Sequence, residues 1–232
     1  MTHGQLRGSG MSQSMLRVGG RLTPLGRAVH WVTQYFDATA NQTGKNPYAY
    51  PAYDDLHTGS SPDQLTDGDL LAPTLLNAAP SITAFYTLQA LRPTLEAALA
   101  AIPPDLTLQD AVRTGRHHEL VGELFRCLDE QKTPGVQLTT LTKVLHRKRP
   151  LLIPLHDRHV RACYVNDGPT YPMRRTAGRT WAHYTATLAA SIADDLDRQA
   201  EQWAVLRSCV PDIGLLRILD VVAWNTARQE LA

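Results

Sequence analysis

Between Gly214 and Gln229 the sequence reads GLLRILDVVAWNTARQ, a run that is apolar nearly all round. A helix of that kind is stable only when other elements cover it on several sides, so it predicts a central helix inside a larger helical assembly. Partners of matching periodicity are present. Thr23-Pro24 reads as a helix start for a segment over 23–38, with Val29, Val32 and Phe36 on one face. Thr66 and Asp69 have capping-box spacing before LLAPTLLN. SITAFYTLQAL is a further apolar helix that Pro93 should end or bend, followed by LEAALAAI, TLQDAV and HHELVGELFRCLDE. A long helix over about 178–207 carries Trp181, Tyr184, Leu188 and Ile192 on a face. No alternating strand pattern is evident, and the expected fold class is all-α.

The 232 residues suffice for one sizeable core. Residues 1–20, rich in Gly, Ser and Gln, read as a flexible leader, and 21–232 as a single helical domain or two lobes packed on a shared core. No apolar run approaches the roughly 18 to 20 residues that span a bilayer. The N-terminus lacks the apolar stretch of a signal peptide, so no membrane partner and a cytoplasmic location are expected. Cys127, Cys163 and Cys209 are too scattered for a disulfide framework or a metal cluster and read as core thiols. His156 with His159, and His117 with His118, lack further ligands at suitable spacing, so no metal is expected.

Charge is uneven. KVLHRKRPLLIPLHDRHVR, residues 143–161, holds six Lys/Arg and one carboxylate, Asp157, in a chain of formal net charge +1. A positive field concentrated on one segment suits a phosphate-bearing partner. Just upstream, Pro134-Gly135-Val136 forms a turn in which Gly135 can take positive φ. Backbone N–H groups of the turn and of the next helix start are then free to face an anion. Lys143, Arg147, Lys148 and Arg149 would add charge along the same path. Asp157 opens a helix, DRHVRACY, where the dipole and nearby cations keep a carboxylate ionised. An ionised acid can stabilise developing positive charge or orient an attacking water.

Pro134-Gly135-Val136, with Asp157-Arg158-His159-Val160-Arg161 beginning 22 residues after Gly135, resembles the helix-hairpin-helix DNA glycosylases of the endonuclease III type. Their pattern is L-P-G-V-G-x-K, followed by V-D-T-H-V-x-R. The resemblance spans 133–161 and implies a helix-hairpin-helix glycosylase-like bundle acting in base excision repair, with the hairpin and the catalytic segment within 133–165. It implies that Pro134, Gly135, Val136 and Gln137 hold a DNA phosphate, with a monovalent cation at the hairpin and no other cofactor. Arg158 and Arg161 would join the DNA contact, and Asp157 would promote departure of a flipped base. The segment also resembles a bacterial family without assigned activity that carries K-R-P-x-L-I-P-x-x-D-x-x-V.

The departures bear on chemistry. Thr133 replaces the leucine before Pro134, and Gln137 replaces the hairpin's second glycine. Thr139 stands where bifunctional members carry a Schiff-base lysine, and Lys143 lies one turn further along, so a monofunctional enzyme is implied. The iron–sulfur cysteines of some members are missing. Plainer readings remain open: Asp157 as a helix cap alone, the basic run as a solvated face or as internal pairing, and the whole as a non-catalytic nucleic-acid-binding module. Tyr48, Tyr50 and Tyr53 in NPYAYPAYDD either stack bases or cover the core.

Overall fold

The computed structural model describes residues 14–229. It opens with a two-stranded antiparallel hairpin, β1 (Met15–Val18) and β2 (Arg21–Pro24), with Val18 paired to Arg21. Helices follow as α1 (Leu25–Tyr35), α2 (Ala38–Thr43), α3 (Asp67–Leu71), α4 (Ile82–Ala100), α5 (Leu108–Arg113) and α6 (His117–Glu130). The order continues with α7 (Leu138–His146), α8 (Arg158–Tyr164), α9 (Trp181–Arg198), α10 (Ala200–Cys209) and α11 (Leu215–Gln229). A 3-10 turn, Ala72–Leu76, follows α3 because Pro73 removes the donor needed to continue it. The protein is therefore mostly helical, with one small sheet among the described residues. None of its described helices is long and apolar enough to cross a membrane.

As its composition requires, α11 is central: Leu216, Ile218, Leu219, Val221, Val222, Ala223 and Ala227 are all buried. It is covered by α8, α1, α10 and the hairpin, while α6 packs along α9 to build the other side of the core. The Thr66–Asp69 capping box forms as its spacing predicts.

Several expectations are corrected. The leader assignment fails for its last residues, because Leu16 and Val18 are fully buried strand positions; residues 1–13 lie outside the described part. Thr23-Pro24 belongs to β2, and the first helix starts only at Leu25. A four-residue strand with one buried face is too short for its alternation to stand out in sequence. The long C-terminal helix breaks at Gln199, whose φ is −125° and ψ 34°. Its side-chain amide accepts from the Arg17 backbone N–H at 2.6 Å and donates to the Arg17 carbonyl at 2.8 Å, stitching the break to β1. Of the cysteines, Cys127 and Cys163 are buried but Cys209 is exposed.

Pro93 neither ends nor divides α4, which runs through it to Ala100. Leu88 and Leu91 before the proline and Leu95 and Leu99 after it form one buried stripe. Burying those side chains, at roughly 1.5–3 kcal/mol each, outweighs the cost of about 3 kcal/mol for an interior proline. Pro93 is solvent-exposed, so Pro93→Ala should restore a donor to the Gln89 carbonyl without disturbing the core. The expected gain is about 1–2 kcal/mol in urea denaturation; a loss of stability would contradict it.

Candidate functional site

The segment RPLLIPLH delivers Asp157 to the site. The Arg149 carbonyl accepts from the backbone N–H groups of Leu152 and Ile153, and Leu152, Ile153, Pro154 and Leu155 are buried, so the connection crosses the core rather than looping outside. At its end Asp157 takes an extended backbone (φ −148°, ψ −171°) and caps α8. Its Oδ1 accepts from the N–H groups of His159 at 2.8 Å and Val160 at 2.9 Å, and its Oδ2 lies 3.2 Å from His159 Nδ1. Burial raises the carboxyl pKa, but the Val160 N–H and the His159 contacts outweigh that and hold it below the ordinary 3.8. The side chain is 22% exposed and opens onto a groove of about 720 Å³.

The walls of that groove include Lys143, Asp220, Tyr48, Trp224 and Arg228. Asp220, one of the few polar residues of α11, has Oδ2 2.7 Å from Arg217 Nη1. Arg217 is 2% exposed and also donates to Asp54 Oδ1 at 2.9 Å and to the Tyr35 hydroxyl at 2.9 Å. Burial pushes the Asp220 carboxyl up to about 6, with Arg217 opposing the rise and Asp157 adding to it. Two carboxylates of one groove are thus driven in opposite directions, the arrangement that separates a proton-exchanging acid from a permanently ionised one. Lys143 is held at the same groove with Nζ 2.8 Å from the Leu76 carbonyl, and burial lowers its pKa. Asp220 was not singled out from sequence; the available signal was the one acid in the central helix.

The basic run is corrected in large part. Arg147 donates to the carbonyls of Tyr53 and Leu56, Lys148 pairs with Asp69 at 3.0 Å, and Arg149 is fully buried. The Arg149 guanidinium donates to the carbonyls of Ile102, Pro62 and Leu99 and pairs with Asp63. These three cations are turned into the protein to fasten the segment 53–69 and the end of α4, which leaves them no phosphate-facing donors. Lys143 alone of the four reaches a groove. Arg158 and Arg161, on α8, are exposed.

The tyrosines also divide. Tyr53 is 1% exposed and donates to the Lys143 carbonyl at 2.6 Å, so it is a core residue. Tyr50 packs edge-on against Phe36 with centroids 5.2 Å apart. Only Tyr48 faces the groove, with its ring 4.8 Å from Tyr35 and 6.4 Å from Trp224.

At the turn, Gly135 has φ +76°, and an added Cβ would lie 3.1 Å from Ala84 N, so this position requires glycine on two counts. The Val136 N–H is committed within the turn, to the Thr133 carbonyl at 3.1 Å, and the Pro134 carbonyl accepts from Thr87 Oγ1 at 3.0 Å. The backbone donors without a side-chain cap are those at the start of α7, where Gln137 supplies none. Val136, Gln137 and Thr139 line a second groove with Arg158 and Arg161, and Thr139 and Arg158 also border the space beside Asp157. Thr139 and Arg158 are thus common to the depression beside the turn and the one beside Asp157.

Residues 28–227 match a family of unknown function (DUF6308), and the chain belongs to that family. No curated protein and no solved structure matches it.

Two measurements check this site. Carboxyl-carbon NMR should show Asp220 titrating near pH 6 and Asp157 below 3.8. Stability lent by Asp157 is then complete above 3.8 and lost as pH falls through its folded value, whereas Asp220 favours the fold below 3.8 and loses that contribution as pH rises through about 6. Coincident ordinary midpoints would contradict the burial argument. Asp69→Asn should cost about 3–5 kcal/mol in chemical denaturation by stranding Lys148, and a change under 1 kcal/mol would show the pair to be dispensable.

Proposed function

We propose that this protein is a DNA glycosylase-like hydrolase, monofunctional, that cleaves the N-glycosidic bond of a flipped damaged or modified base. The observation carrying this reading is Asp157: an ionised, hydrogen-bonded carboxylate, partly exposed at the rim of a groove that continues past the uncapped start of α7. A nucleotide extruded from its stack would seat its base against Tyr48 and Trp224 and its sugar toward Asp157. As the C1′–N bond breaks, its electron pair leaves with the base, and the carboxylate stabilises the positive charge developing on the sugar. Water then adds at C1′. Asp220, poised near 6, can accept its proton, while the departing base is protonated from solvent.

A Schiff-base route is not invoked. On the resemblance to the endonuclease III-type glycosylases, Thr139 stands where their bifunctional members carry the Schiff-base lysine, and the Lys143 ammonium is committed to the Leu76 carbonyl.

The test is incubation with duplexes carrying a panel of base lesions, followed by alkali cleavage of the abasic product. Asp157→Asn should lower base release at least 100-fold while keeping or tightening DNA binding, since it removes a negative charge beside phosphate. Equal activity of variant and parent would exclude this role for Asp157. The rate should rise with pH through about 6, where Asp220 ionises, and Asp220→Asn should flatten that limb. An unchanged limb would remove Asp220 from the proton transfer.

A further inference from the structure

Beyond α8 the chain passes through YPMRRTAGRTW, residues 171–181, a stretch with three arginines and no acid. The structure brings Arg174, Arg175 and Arg179 to one groove with Arg161 and Trp181, and Arg158 lines its continuation toward Asp157. No Asp or Glu lines either part. None of these five guanidinium groups lies within ion-pair distance of a carboxylate among the described residues, in contrast to Arg149 and Arg217, which are matched inside the protein.

Two further observations point to a ligand. Trp181 is 41% exposed yet rigidly placed. Its backbone N–H and that of Ala182 donate to the Asp129 carboxylate at 2.7 and 3.0 Å, Thr180 caps the same helix start, and the indole meets Tyr184 edge-on. At the back of the groove sits His156, 7% exposed, with Nε2 3.0 Å from the Tyr184 hydroxyl. Its Nδ1 has no hydrogen-bond partner. Burial lowers its pKa to about 4, so the ring that lines the groove is neutral, with Nδ1 buried and unpartnered.

We propose that this arginine groove is a track for a single-stranded stretch of nucleic acid, with its phosphates on Arg158, Arg161, Arg174, Arg175 and Arg179 and one unstacked base on Trp181. Guanidinium forks suit phosphate oxygens better than ammonium groups do. An exposed indole on a fixed helix start favours a base whose face is free, which a duplex does not offer. The inference rests on the nucleic-acid reading above and deepens it: the strand leaving the Asp157 groove would run past the α7 start into this track.

The experiment uses the full-length protein and a fluorescein-labelled 15-nucleotide oligothymidylate, followed by anisotropy across a salt series. The variant Arg174→Ala/Arg175→Ala/Arg179→Ala should reduce the slope of log affinity against log salt by about two, given roughly 0.7 per phosphate on single strands. Trp181→Ala should weaken binding about 5-fold to 100-fold and Trp181→Phe should restore most of it, because a phenyl ring still stacks. Circular dichroism melting checks that these surface variants remain folded. Binding that ignores all these substitutions, or a preference for blunt duplex of equal length, overturns the proposal. Base release assays separate it from the catalytic reading: groove-dependent oligonucleotide binding without any base release sustains the track and sinks the glycosylase, and Asp157-dependent release with groove-independent binding does the reverse.

Discussion

A cation removed from water must be matched inside the protein, and much of this architecture follows from where the buried cations find their partners. Arg217 on the central helix is matched by Asp54, Asp220 and the Tyr35 hydroxyl, so one guanidinium joins α11, α1 and the long segment after α2. Lys148 and Arg149 tie that same segment through Asp69 and Asp63. The stretch is free of helix and strand from Gly44 to Thr66, and without these fastenings it has little regular structure to hold it. It supplies Tyr48 and Ala52 to the groove wall. The buried charges therefore position the groove as well as stabilise the fold.

The same matching sets the chemistry available at the groove. Arg217 fixes one Asp220 oxygen and keeps the carboxyl from climbing further, while burial and the neighbouring Asp157 charge push it up. Asp157 experiences comparable burial but receives two backbone N–H groups at the start of α8, which favour its charged form. Two identical side chains, drawn from a helix cap and from the middle of a buried helix, thereby acquire different proton affinities. Neither the cap nor the burial alone produces the pair.

What could be read from the sequence follows from the range of the forces involved. Local rules placed α6, α8, the Thr66 capping box and the cap at Asp157, because each depends on residues within a few positions. The central position of α11 was equally legible, since an all-round apolar helix has no stable exposed arrangement. The direction of Arg147, Lys148 and Arg149 was not, because periodicity cannot tell a cation facing solvent from one facing carbonyls 47 to 94 residues away in sequence. That α4 continues past Pro93 is hidden for a related reason: a proline's local cost is visible, whereas the buried stripe that overrides it is a tertiary property.

The basic character of 143–161 and the arginines of 171–181 together illustrate a distinction that charge counting misses. In the first segment the guanidinium and ammonium groups of 147–149 serve as long-range hydrogen-bond donors, and their field is largely spent inside the protein. In the second, the Arg175 backbone N–H donates to Asp167 Oδ1 at 3.1 Å, but the guanidinium groups of Arg174, Arg175 and Arg179 stay outside ion-pair distance of any carboxylate among the described residues, so their field extends into solvent over about a Debye length, roughly 8 Å at physiological salt. Arg158 and Arg161, one turn apart on α8, connect the two regimes, because the helix that Asp157 caps also presents both arginines outward. The carboxylate and the exposed cations are thus coupled through a single short helix, and a shift of α8 would move the proposed reacting group and part of the proposed strand track together.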